Sequence, residues 1–154
     1  MGLGNPAQKI KYLNTLPPVI IKDNTAWVTT EIDTLGYDYA TVIFCLGATD
    51  IAVAVLKVQE SDTSGSGFAD ITGADFDGDT DIDGAASTLP TATDDDGVFV
   101  VQLDLKSRKR YLDLSATAGD GTVGSYASAV TLLSRAGESP STSAEAGAAN
   151  ILRV

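Results

Sequence analysis

The 154-residue chain has no histidine, one cysteine, one tryptophan, and 10 basic residues against 21 acidic ones. Without histidine, Ser-His-Asp and Cys-His nucleophilic arrangements are excluded, and so are zinc sites that use imidazole. A single cysteine, Cys45, excludes an intramolecular disulfide and a thiolate metal cluster. It sits in the apolar run Thr41-Val42-Ile43-Phe44-Cys45-Leu46, which predicts a buried, unreactive thiol. There is no GxxxxGK[ST] phosphate loop. An aromatic content of 6% leaves few rings to stack on sugars. No run approaches the roughly 20 apolar residues of a membrane span, and Met1 to Pro6 lacks a signal-peptide core. The expectation is a soluble chain, not an enzyme, with no cofactor.

The net charge of -11 repels phosphate backbones and anionic lipid heads, so nucleic acid and membranes are poor partners. Hydrophobic residues still make up 44% of the chain, enough for one packed interior. They occur in short β-type runs separated by Gly, Asp and Ser turns. Val19-Ile20-Ile21, Trp27 to Ile32, Ala40 to Leu46, Ile51 to Glu60, Phe68 to Ile71, Val98 to Leu105, Tyr111 to Ala116 and Tyr126 to Leu133 form the series. Within Ile51 to Glu60 the apolar parity switches from Ile51, Val53 and Val55 to Leu56 and Val58, which demands a bulge or a change of neighbours. About eight antiparallel strands with little helix predict an all-β sandwich or jelly roll. Burial of two or three large side chains per strand, at about 1.5–3 kcal/mol each, supports a self-standing domain. The predicted organisation is an N-terminal arm (1–17), a sandwich (18–135) and a low-complexity C-terminal arm (136–154). The C-terminal arm ends in the apolar hook Ile151-Leu152-Arg153-Val154, a candidate partner contact.

Two charged segments carry the remaining candidates. Residues 73–97 form an acidic loop with alternating Asp75, Asp77, Asp79, Asp81 and Asp83, followed by Asp94-Asp95-Asp96. Asp79 to Gly84 matches the first half of an EF-hand loop, but Pro90 stands where the bidentate Glu belongs. A solvated loop is the favoured reading and no metal residue is assigned. A looser Ca²⁺ site, in a Ca²⁺-dependent adhesion or glycan-binding module of a virion tail or fibre, is the alternative. Carboxylate pairs for glycoside hydrolysis stay open by sequence, though the aspartates crowd one loop. The run Lys106-Ser107-Arg108-Lys109-Arg110 holds four of the chain's 10 basic residues. Lys106, Arg108, Lys109 and Arg110 form either a solvated hairpin turn or a docking patch for acidic surfaces.

Ile32 to Val42 (IDTLGYDYATV), Val58-Gln59-Glu60-Ser61-Asp62 with Phe68-Ala69-Asp70, Gly97-Val98-Phe99, and Lys109-Arg110-Tyr111-Leu112 occur in that order. This ordered set, over residues 26–135, resembles small capsid decoration or cement proteins of tailed bacteriophages. The long acidic insert at 73–97 departs from that pattern. The resemblance implies a β-sandwich or jelly roll on the outer surface of the head, made in the host cytoplasm. It implies contacts with the major capsid protein and with copies of itself, as dimer or trimer, and no catalytic residue.

Overall fold

In the computed structural model, which describes residues 6–152, period-two burial decides the architecture. In the segment Tyr39–Leu46 the alternate residues Ala40, Val42, Phe44 and Leu46 are buried, and the residues between them face outward. The strands are β1 (Lys11–Leu16), β2 (Ile32–Asp33), β3 (Tyr39–Leu46), β4 (Val55–Ser61), β5 (Ala69–Asp75), β6 (Val98–Asp104), β7 (Tyr111–Thr117) and β8 (Ala127–Ser134). They form two antiparallel sheets with orders β1-β8-β3-β6 and β2-β7-β4-β5. Strand 1 pairs with 8, 2 with 7, 3 with 6 and 4 with 5. That is the pairing of a jelly roll: one long hairpin with residues 62–68 at its tip, rolled so that its strands alternate between the sheets.

Phe44, Leu56, Val58, Leu112, Leu114 and Leu133 are shielded between the two layers. The Trp27 ring meets Phe44 edge-on at 5.9 Å between centroids. Two polar intruders there are paired, the Thr15 and Thr131 hydroxyls sharing a hydrogen bond of 2.6 Å across β1 and β8, whereas the buried Trp27 indole N–H has no hydrogen-bond partner among the described residues. Rolling also sorts the connections. Residues 34–38, 62–68 and 105–110 meet at one end, beside Tyr39, Asp104 and Ser134. The longer stretches 17–31, 47–54, 76–97 and 118–126 meet at the other.

Several expectations need correction. The N-terminal arm is short among the described residues, because Lys11–Leu16 is an edge strand paired with β8. Val19-Ile20-Ile21 is exposed and lies outside the strands, and from Trp27 to Ile32 only Ile32 enters one, although Trp27 is buried. β4 begins at Val55, since the Val53 and Ala54 amides donate to the Pro90 and Thr117 carbonyls. The expected parity switch falls at this strand start, with Val53 buried on one side and Leu56 and Val58 on the other. A bulge lies close by, between Lys57 and Gln59. Cys45 is half-buried on the outer face, because the interior parity of β3 belongs to its neighbours.

The C-terminal segment is folded as well. Thr142 Oγ1 accepts from the Glu145 amide (3.2 Å), and Glu145 Oε2 accepts from the Thr142 amide (3.2 Å). This reciprocal capping box starts one helical turn. The turn stops in a Schellman arrangement, with Gly147 N donating to Ala144 O and Ala148 N to Ser143 O. The turn docks on β1: Ala146 is buried and its carbonyl accepts from the Tyr12 amide at 2.7 Å. Composition alone hid these local hydrogen bonds. Gly147 has φ +75, and a Cβ there would collide with the Tyr12 carbonyl oxygen. Gly147→Ala is expected to cost about 1–3 kcal/mol and to speed hydrogen exchange at the Tyr12 amide. Unchanged protection of that amide would show that the turn does not cover β1.

Candidate functional site

The basic run lies in the crossover from β6 to β7, so it joins the two sheets and is not a hairpin within one. Three of its four cations are answered from within the chain. Arg110 donates through Nε (2.9 Å) and Nη2 (2.8 Å) to the two carboxylate oxygens of Asp33, and its guanidinium lies 4.9 Å from the Tyr111 ring centroid. The Arg110 carbonyl accepts from the Thr34 amide (3.0 Å) and hydroxyl (2.6 Å). Glu60 takes the Lys109 amide (3.0 Å) and faces Arg108 (3.5 Å), while Lys109 Nζ is 3.8 Å from Asp62. Arg135 and Asp38 pair at 3.6 Å beside them. The Arg110 hydrogen bonds hold the Asp33 carboxyl below the usual carboxylate range, and Asp33 in turn raises Arg110. Of the four basic candidates, Lys106 alone makes no ion pair among the described residues. The run is thus chiefly a staple of the short-loop end.

Of the apolar hook, Ile151 is half-buried and its amide donates to Ser143 Oγ at 3.0 Å. Leu152 is 85% exposed. Arg153 and Val154 lie outside the described residues.

The acidic loop uses its carboxylates to fold itself. Asp79 Oδ2 accepts from the Gly73 and Asp75 amides, both at 2.9 Å. Asp81 Oδ1 accepts from Asp83 and Ala85, and Asp75 Oδ1 from Asp77. Asp94 Oδ2 takes the Thr91 amide and hydroxyl, and Asp95 Oδ1 takes the Thr49 amide. These bonds hold a small hairpin closed by the Thr80–Ala86 bridge. Among the described residues no three acidic or sulfur side chains converge as a metal cage.

The sequence reading missed the outer face of the first sheet. Its register brings outward side chains into rows: Asn14, Val130, Ile43 and Val100 in one, Ser128, Cys45 and Val98 in the next, and Tyr12, Leu132, Thr41 and Gln102 in a third. Val98 is 61% exposed, Val100 42% and Val130 41%. Among the described strand residues on this face Asp104, at its corner, is the one charged group. The second sheet has the opposite character. There Lys57, Gln59 and Asp70 are joined by hydrogen bonds of 2.8 and 2.7 Å, and Asp113 accepts from Thr29 at 2.9 Å. An antiparallel sheet facing water is ordinarily polar outside. The signal was present in the sequence, because VIFCL and VFVV are apolar on both parities.

Asp33 has a depressed carboxyl pKa, so its contribution to stability is present above the ordinary Asp value of about 3.9 and is lost as pH falls through the lower folded value. Asp33→Asn should lower the thermal midpoint at neutral pH, and the gap to the parent should close as pH falls below about 4. A gap constant from neutral to strongly acid pH would remove the pair from the stability account. For the acidic loop, about 1 mM CaCl₂ is expected to leave the thermal midpoint where an equal concentration of MgCl₂ leaves it. A Ca²⁺-specific rise would restore the metal reading. No family model, curated protein or solved structure matches the chain.

Proposed function

We propose that this chain is a decoration, or cement, protein of a tailed-bacteriophage head, binding the outer surface and bridging major capsid subunits. It acts as a homo-oligomer and stabilises the shell through contact alone. The observation that carries this reading is the outer face of the first sheet, whose strand residues carry one charge, Asp104 at the corner, in a chain of net charge -11. Another protein can cover that face, short of the Asp104 corner, without stripping water from a charge. The strand register makes the face roughly 20 Å by 15 Å, short of the ~800 Å² per partner of a standard interface. Further apolar side chains are exposed outside the strands. Tyr126, just before β8 and with outward parity, is 49% exposed, and Ile20 and Val123 at the long-loop end are 60% and 67% exposed.

Other properties support the same reading. The ion-paired short-loop end stiffens the body, so little conformational entropy is lost on docking. Negative charge suits a protein outside a shell that holds packaged DNA. Many symmetric copies gain avidity from modest individual contacts. The jelly-roll topology itself decides nothing, since it serves capsid proteins, lectins and enzymes alike.

Purified particles should contain the chain at a fixed ratio to the major capsid protein, and heads lacking it should rupture at lower temperature. Val130→Glu, on a solvent-facing position of β8, should leave the chain folded and reduce its head occupancy by about tenfold or more, the effect of one buried unpaired charge. Absence of the chain from purified particles would overturn the proposal.

A further inference from the structure

The four edges of the two sheets are treated differently. Edge strands with open backbone groups invite pairing with other chains, and proteins ordinarily blunt them. Here β1 is covered by its own chain: the Tyr12 amide donates to Ala146 O (2.7 Å) and the Thr15 carbonyl accepts from Thr30 N (2.8 Å). β2 has 2 residues. β5 is bulged against β4, and the Asp79 carboxylate occupies its Gly73 and Asp75 amides. β6 has none of these devices. It has 7 residues, runs in unbroken register along β3, and among the described residues receives no backbone hydrogen bond from its far side.

Beside that edge runs a cleft of about 460 Å³ lined by Ala74, Phe76, Ile82, Val100 and Val101. Ile82 is 98% exposed on its far wall. Asp75, Asp79 and Asp81 also line the cleft, no lysine or arginine does, and Asp104 closes the end of β6. Lys57, whose strand pairs with β5, is held by Asp70 at 2.8 Å and Asp75 at 3.9 Å.

We propose that β6 accepts an added strand from another protein: an extended segment that alternates apolar residues with lysine or arginine. Its backbone would complete the β6 ladder, its apolar residues would meet Val98, Val100 and Ile82, and its cations would meet the aspartate rim. A second copy of this chain fits poorly, because it would bring its own acidic hairpin and its own net charge of -11 to the same edge. The inference goes beyond the shell reading and does not depend on which particle or complex supplies the segment.

The test uses the full chain and two synthetic peptides of about ten residues, one alternating valine with lysine and one alternating valine with glutamate. Amide hydrogen exchange is followed by NMR. Near saturation, the valine–lysine peptide should slow exchange of the β6 amides that face away from β3 by roughly tenfold. The Tyr12 amide at the covered edge should not change, and the effect should weaken with salt. Val98→Lys with Val100→Lys, both on outward positions, should keep the parental thermal midpoint and abolish the protection. No protection by either peptide would overturn strand addition. Equal protection by both would overturn the basic occupant. Protection without peptide, in a chain that sediments as a dimer, would make a second copy the occupant and overturn the proposal. Head occupancy of Val130→Glu, two strands away on β8, reads the shell proposal separately.

Discussion

Everything in this molecule depends on one parity rule: every second side chain of β3, β4, β7 and β8 must be buried between two sheets. Phe44, Val58, Leu114 and Leu133 obey it with almost no exposure. Because the sheets are built from one rolled hairpin, that layer closes only when the first strand meets the last. The β1–β8 closure is made partly by a polar contact, the Thr15–Thr131 hydroxyl pair, which is tolerable inside because each group satisfies the other. The capped turn at 142–148 then lies over the free side of β1. The closing strand is therefore held from both sides.

The same rule leaves the outward parity unconstrained, and the two sheets use that freedom differently. On the second sheet it is filled by Lys57, Asp70 and Asp113 in mutual hydrogen bonds. On the first it is filled by valine, isoleucine, threonine and serine. With 20% of the chain charged, a face with one charged residue at its corner is a departure that solubility alone would not produce. The direction of the molecule follows. One outer face and the short-loop end are committed to internal charge pairing, and the other face, with its β6 border, stays almost free of charge.

Much of the frame was legible in the sequence, because β3, β6, β7 and β8 lie in apolar-rich runs of seven or eight residues bounded by turn residues. β1 was not, since Asn14 and Thr15 break its apolar pattern and nothing local announces that Thr15 will find Thr131. The C-terminal turn was concealed by its composition, although Thr142, Glu145 and Gly147 spell its start and stop. The charged segments misled in a more basic way. A run of cations shows its charge but not what stands opposite, and the Arg110 partner Asp33 is 77 positions away. The alternating aspartates left a Ca²⁺ site open beside the favoured solvated loop, and Asp79 and Asp81 turn back on amides within six residues of themselves. Sequence spacing could not distinguish an oxygen offered to a cation from one already accepting N–H groups.

The geometry also explains why the two ends of the sandwich differ. The short connections 34–38, 62–68 and 105–110 meet at one end, and the acidic segment 73–97 lies mostly in a long connection at the other. A five-residue link that must also seat Thr34 on the Arg110 carbonyl, while Asp33 receives the guanidinium, has few alternatives in sequence. A loop that folds on its own aspartates has many, because its contacts are local and make few demands on the core. The frame is thus fixed at the short-loop end by pairs distant in sequence. The surfaces it leaves open are the almost uncharged face, the long-loop end and the unblunted β6 edge. Side chains there can vary without disturbing the Asp33–Arg110 pair or the buried layer.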